Sequence, residues 1–373
     1  MRTSETRLDL WLRVREFAVP PPMITTSTAR RLAGDWAGAC AAARVDVDLN
    51  LRLLARLRGP DIAARVRADL RHLAPDLLRW HLPRAGPEGR LRPGLTVPLA
   101  RYDDGLHLVA RTPPAWAAGG QRFGLALWDG TPGHPHPDRY YRLDLHRHLW
   151  DARRAGELRA RARPDWVAEA GRLRAARVLV RYGRRRLLLD AESGEARPTR
   201  TRDGRLPVLP HASTWPAPDL ELLEAGRIDP GDLHPLVAEA LAPGAQPRPP
   251  QQKRTPRIVE CRGAAHRIAL VGGVLTALDH DPAQLRREEL LAALGGPPLP
   301  CLRAIDDCHR HPESLDDIRA RLDHGDTAGA LAAVEDLIGP DALLRAGALR
   351  DALEAAARQS IRHGLYRNGL TTF

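Results

Sequence analysis

The feature that most constrains this chain is a change of hydrophobic period along it. Apolar residues recur at helical spacing as far as Pro83, at every second position in short runs between Leu95 and Asp190, and at helical spacing again beyond Asp281. A repeat near 3.6 puts an apolar stripe along a helix, whereas a repeat of 2 puts it on one face of a strand. The expected fold class is therefore α+β: a helical N-terminal module, an antiparallel β-rich middle region, and a C-terminal β-meander followed by a helical bundle. A length of 373 residues is enough for two or three domains with real cores.

Punctuation refines this reading. Leu8, Trp11 and Leu12 mark a first helix that must stop at Pro20-Pro21-Pro22, which lacks backbone donors. The Thr25 to Thr28 cluster is expected to cap a second helix, Trp36 to Ala42 a third, and Leu49, Leu53, Leu57 and then Ile62, Val66, Leu70, Leu73 two more, so residues 1–84 read as helical throughout. Breakers from Gly86 to Gly94 set a boundary. Strands are expected at Leu95–Leu99, Leu106–Ala110, Phe123–Trp128 and Tyr140–Leu145, a helix at Leu149–Ala162, and a hairpin from Arg177 to Asp190, giving an antiparallel α+β region over 91–210. A short helical connector (211–242) and a Pro-rich linker (243–256) lead to the meander and helices of 257–373, with Asp281-Pro282 and Ser314 as expected helix starts.

One segment occurs twice. Gly34-Asp35-Trp36-Ala37-Gly38-Ala39-Cys40-Ala41-Ala42 matches Gly325-Asp326-Thr327-Ala328-Gly329-Ala330-Leu331-Ala332-Ala333, and each copy follows an Arg-Leu pair. The pattern predicts a helical hairpin: glycine ends one helix, aspartate caps the next, and small residues bring the two helices close. It is similar to the turn of tetratricopeptide hairpins, without their 34-residue period.

Charge is unevenly spread. Of 57 basic residues only Lys253 is lysine; residues 1–210 carry a net +16 and residues 211–373 a net −5. Arginine-rich Arg181, Tyr182, Arg184, Arg185 and Arg186, at an expected hairpin tip, form the densest basic patch, a pattern suited to phosphate contacts with a stacking ring or to an acidic protein surface. The 43% apolar and 28% charged content excludes a disordered or collagen-like chain. Four scattered cysteines suit a reducing cytoplasm, and the longest uncharged apolar run, Ile268 to Leu278, is too short for a membrane span. A cytoplasmic location without membrane association or a classical export signal is the resulting expectation.

Histidine carries the remaining chemistry. His134-Pro135-His136-Pro137-Asp138-Arg139 looks like the metal-binding run of metallo-β-lactamase-type hydrolases, with His146 able to add an imidazole, but Arg139 replaces the last ligand. Cys301 and Cys308-His309-Arg310-His311 offer four zinc donors, yet a helix through Leu299–His311 separates the two thiols by about 10 Å, which favours buried apolar thiols. Asp279-His280-Asp281 reads as a helix cap beside a surface imidazole. No Walker loop, nucleophile elbow or dinucleotide fingerprint is present, so no catalytic residue and no cofactor are expected.

Val259–Gly263, Ala277–Asp281, Arg287–Gly295, Leu322–Ala333, Leu8–Phe17 and Gly34–Ala43 resemble a family of uncharacterised actinobacterial proteins. That resemblance implies a bacterial cytoplasmic origin and brings no activity with it. Three readings stand at this point. The first is a non-enzymatic adaptor whose helical modules dock protein partners; the second is a nucleic-acid-associated protein using the basic regions; the third is a metal-dependent hydrolase built on His134, His136, Asp138 and His146.

Overall fold

A computed structural model describes residues 2–131, 135–183, 185–201, 204–246, 248 and 257–370. The chain forms two compact units, one of residues 1–118 and 122–249 and one of 119–121 and 250–373. The expected α+β class is what is seen.

The first unit opens with α1 (Arg2–Arg13), α2 (Pro21–Leu32), α3 (Trp36–Ala42), β1 (Val45–Asp48), α4 (Leu51–Arg58), α5 (Pro60–His72) and α6 (Pro75–His81). Two starts differ from expectation. Helix α2 begins at Pro21, ahead of the threonine cluster, because proline at the first helical position needs no N–H partner. Val45-Asp46-Val47-Asp48 forms a strand rather than helix, pairing in parallel with β6 (Phe123–Trp128). Short β2 (Arg84–Ala85) and β3 (Arg90–Leu91) form a ribbon, and β4 (Thr96–Arg101) and β5 (His107–Arg111) complete a sheet ordered β1-β6-β5-β4. This parallel edge ties the first helices to the middle strands, so residues from Val14 to Ala162 share one core with Leu222–Ala240, while Ala170, Val178, Val180, Leu189 and Leu209 of the expected 91–210 segment form their own.

Residues Tyr140–Leu145 are turns and not a strand: Asp138 Oδ1 accepts from the N–H groups of Tyr140 (2.7 Å) and Tyr141 (3.0 Å), which curls the backbone. The helix expected at 149–162 is broken into 3₁₀ turns and the short α7 (Leu158–Arg161). Then α8 (Trp166–Arg172) packs on a second sheet of β7 (Arg177–Tyr182), β8 (Arg185–Asp190) and β9 (Ala196–Pro198). Helices α9 (Pro218–Glu224) and α10 (Pro235–Leu241) close the unit. Of the expected linker, 247 and 249–256 lie outside the described residues.

The second unit starts with the antiparallel meander β10 (Arg257–Cys261), β11 (Ala264–Val271) and β12 (Val274–Ala277). Five helices follow: α11 (Pro282–Ala293), α12 (Pro300–Arg310), α13 (Leu315–Asp323), α14 (Thr327–Ile338) and α15 (Ala348–Arg367). The meander core joins Cys261, Ala277, Leu285, Leu299 and Cys301, while Ile318, Leu322, Ala330, Val334 and Leu349 form a separate helical core. The helix start expected at Ser314 is observed, with Ser314 at the N-cap of α13 but making no side-chain capping hydrogen bond. No described helix is long and apolar enough to cross a membrane.

Candidate metal centre

Three short-range devices bring one imidazole and two thiols together. Strand β10 ends at Cys261, where Arg262 (φ +55°) and Gly263 (φ +79°) turn the chain back into β11. Beyond β12 the chain passes through Asp279 and His280 before Asp281 caps α11 by accepting from Ala283 N at 3.1 Å. Pro300 then starts α12 and sets Cys301 in its first turn. The Cys261, His280 and Cys301 side chains meet in the meander core, with their ligand atoms all within 4.8 Å of one another; no other such trio occurs among the described residues. Only 1%, 9% and 0% of these residues is exposed.

The spacing fits a tetrahedral ion. Zinc–sulfur and zinc–nitrogen bonds of about 2.3 and 2.1 Å place sulfur and nitrogen ligands about 3.6 Å apart at a tetrahedral angle. Cys261 Sγ lies 3.7 Å from His280 Nε2. Burial, reinforced by the hydrogen bond and charge of Cys261, pushes the Cys301 thiol up to about 11. Burial and then the neighbouring His266 and Arg262 lower the His280 pKa, against the smaller opposite pull of Asp281 and Glu288. His280 is thus a neutral ligand at pH 7, and Cys301 is a thiol that only a strongly thiophilic ion would deprotonate.

His266 flanks this set. Its ring stacks on His280 with centroids 4.5 Å apart and an interplanar angle of 26°. His266 Nδ1 lies 3.0 Å from the Asp279 carbonyl, an acceptor, so Nδ1 is the donating nitrogen. The Asp279 carboxylate is turned away into a pair with Arg267 at 3.1 Å. Two sulfurs and one imidazole nitrogen form a soft donor set that suits zinc and excludes calcium or magnesium as a fitting occupant.

The residues singled out from sequence lie elsewhere. His134 and Arg184 fall outside the described residues. His136 is exposed and packs on Trp128 at 5.1 Å, Asp138 serves the 140–141 turn, and buried His146 faces Arg161 (3.1 Å) and Glu169 (3.7 Å). Among described residues these three do not converge, because His136 and Asp138 lie on a surface loop while His146 belongs to a buried ion-pair cluster. In the arginine patch, the Arg181 guanidinium covers Tyr140 at 5.2 Å, Arg185 and Arg186 are exposed, and the Tyr182 ring is already stacked on Trp215 at 4.4 Å. Cys308 is buried as expected, with Arg257 Nη1 3.3 Å from its sulfur. Cys301 is buried too, but as a neighbour of Cys261, and His280 is a core residue and not a surface one.

Sequence reasoning missed this trio because its members are 19 and 21 positions apart, outside any short metal-binding spacing. The available signal was positional: a cysteine ending one strand, a histidine just before an Asp-Pro helix start, and a cysteine just after the next helix-starting proline. No family model matches the chain, and neither a curated protein nor a solved structure similar to it was found.

Proposed function

We propose that the 257–370 unit is a zinc-ordered, non-enzymatic interaction module, in which the ion ties the meander to the first turn of α12. The carrying observation is the buried Cys261, His280 and Cys301 set with its 3.7 Å sulfur–nitrogen spacing. Burial of all three ligands supports a structural role, since a catalytic zinc keeps one position open to substrate. The fourth position of a tetrahedral ion would be filled from outside this trio, and His266, stacked on His280, borders it. The meander core is small, five buried residues, and a core of that size gains most from a metal tie. Leu290, Leu291 and Leu294 at the end of α11, 66%, 53% and 85% exposed, give the module an apolar surface suited to a protein partner.

The test is elemental analysis of the full chain purified without a chelating tag. Roughly one zinc per chain is expected, falling to background in Cys301→Ala while a variant of the distant Cys308 keeps its metal. Wild-type protein that is metal-free after growth with zinc, with all four thiols titratable on unfolding, would overturn the reading. The docking role is tested by nuclease-treated co-purification, in which partners should be retained by the wild type and lost on Leu294→Glu.

A further inference from the structure

The first unit carries a strip of exposed guanidinium groups that no carboxylate neutralises. We propose that this strip, Arg186, Arg181, Arg92 and Arg139, binds the phosphate backbone of single-stranded nucleic acid, with little regard to base sequence. Three segments build it. Arg181 on β7 and Arg186 on β8 are direct register partners in an antiparallel pair, so both side chains leave the same face of the sheet with their Cα atoms about 5 Å apart. The Arg181 guanidinium lies over the Tyr140 ring at 5.2 Å, the Tyr140 and Tyr141 rings pack at 5.1 Å, and the Arg92 guanidinium lies over Tyr141 at 5.8 Å. Arg92 Nη1 also donates to the Tyr141 hydroxyl at 3.0 Å, and the Tyr140 hydroxyl donates to the Arg181 carbonyl at 3.0 Å. Arg139, beside Tyr140 in the chain, is held by the carbonyls of Gly204 and Leu206.

Three observations carry this. First, all four arginines are exposed, and none is in an ion pair among the described residues, whereas Arg177 and Arg197 on the same sheet pair with Asp190 and Glu195. The carboxylate beside Tyr141, Asp138, is already taken by the N–H groups of Tyr140 and Tyr141. Second, like charges directly opposite on paired strands are destabilising, so the Arg181 and Arg186 pair costs stability that an anion between them would return. Third, the tyrosine rings engage the flat faces of Arg181 and Arg92 and leave donor-bearing edges open. Arg181 makes no side-chain hydrogen bond among the described residues, so its planar fork can meet a phosphate through two N–H groups.

The shape of the strip selects the partner. Arg181, the two tyrosines and Arg92 follow one another at steps of 5.1 to 5.8 Å, which puts charge at intervals along a line. Protein interfaces have an apolar core inside a polar rim, and the strip has none: Tyr182, the exposed large apolar residue of β7 and β8, alternates to the opposite face and stacks on Trp215 at 4.4 Å. A polyanion with regularly repeated charge fits such a line better than an acidic protein surface, and a single file of cations suits one strand. The tyrosine rings are covered by guanidinium and by each other, so they position the arginines and leave the bases unread.

The experiment is a fluorescence-anisotropy titration of the full chain with labelled oligo(dT) of about 20 nucleotides, at salt from about 50 to about 200 mM. Oligo(dA), a duplex of the same length and poly-L-glutamate serve as comparators. Four phosphate contacts predict a slope of log affinity on log salt of about −3, and a loss of about fifty-fold across that range. Oligo(dA) and oligo(dT) should agree within about threefold, and poly-L-glutamate should not displace either at equal charge. Arg181→Gln combined with Arg186→Gln should weaken binding about tenfold or more at the lowest salt and halve the slope. Arg52→Gln combined with Arg56→Gln, exposed positions on α4, makes the same change of net charge and should alter affinity less than about twofold. No binding at the lowest salt, equal losses in the two double variants, displacement by poly-L-glutamate, or tighter binding of the duplex would each overturn the proposal.

Discussion

Cys261 Sγ and His280 Nε2, nineteen residues apart in the chain, stand 3.7 Å from each other in the core of the C-terminal meander. Neither residue has the surroundings of an ordinary core position. The thiol shares its site with Cys301, and the imidazole is held neutral by burial and by the adjacent His266 and Arg262. Because the three side chains come from a strand end, a helix approach and a helix start, an ion bound among them would fix three elements at once.

Zinc uptake should release protons. The Cys301 thiol, pushed up to about 11 chiefly by burial, is protonated in the metal-free protein at pH 7 and must ionise to bind, whereas neutral His280 has no proton to lose from its ligating nitrogen. Apparent zinc affinity should therefore rise steadily from pH 6 to pH 8. Calorimetry in buffers of different ionisation enthalpy should count at least one proton released per ion; buffer-independent heats would contradict this.

The two copies of the Gly-Asp segment should respond alike. Asp35 Oδ1 accepts from Gly38 N at 2.8 Å and Asp326 Oδ1 from Gly329 N at 3.3 Å, and each aspartate also pairs with an arginine five residues earlier, Arg30 or Arg321, at 3.0 Å. Any Cβ at Gly38 or Gly329 would collide with the capping carboxylate. Asp35→Ala, Asp326→Ala, Gly38→Ala and Gly329→Ala should each cost about 1 kcal/mol in urea unfolding. Within one copy the double variant should cost little more than either single change, because both remove the same cap.

A buried polar trio should be among the most sensitive places in the first unit. Asp76, 1% exposed, accepts from Ser27 Oγ at 3.1 Å and pairs with His234 Nε2 at 3.0 Å. Asp76→Ala leaves His234 Nε2 buried without its acceptor and Ser27 with only the longer 3.4 Å contact to the Ala39 carbonyl, and should destabilise by about 3 kcal/mol or more. A change below about 1 kcal/mol in chemical unfolding would show that the site rehydrates or relaxes.

Acid should unfold the first unit partly through Asp151. Burial alone would raise its pKa, but hydrogen bonds and charge from Arg153 and Arg147 outweigh burial and leave it lowered. A depressed carboxylate pKa gives stability that is complete above the unfolded-state value and is lost as pH falls through the folded-state value. Arg153→Gln removes contacts to Asp151 (2.8 Å) and Asp69 (2.6 Å). The acid limb of its stability–pH curve should move to higher pH, while the neutral-to-alkaline part keeps its shape.

Much of this architecture was legible in the residue pattern, and the failures have local causes. The Gly34-Asp35 and Gly325-Asp326 turns follow from side-chain chemistry that acts over three residues, so sequence suffices to find them; the positive φ of Gly34 (+79°) and Gly325 (+78°) agrees with it. The role of Gly38 and Gly329 was read as close helix packing, whereas the structure shows clearance for the capping carboxylate. β1 was hidden because four residues between two helices carry too little periodicity, and only its partner β6 makes them a strand. The Cys261, His280 and Cys301 trio was hidden for a related reason: a meander and two proline-started helices bring the three together, and no local rule encodes that distance.

The measurement that tests the central claim most directly is cobalt(II) substitution of the full chain, read by absorption spectroscopy. The account predicts sulfur-to-cobalt charge-transfer bands and intense tetrahedral d–d bands saturating at about one equivalent, both abolished in Cys261→Ala and in Cys301→Ala and reversed by zinc. Weak octahedral bands only, or a thiolate signal that survives loss of both cysteines, would contradict it.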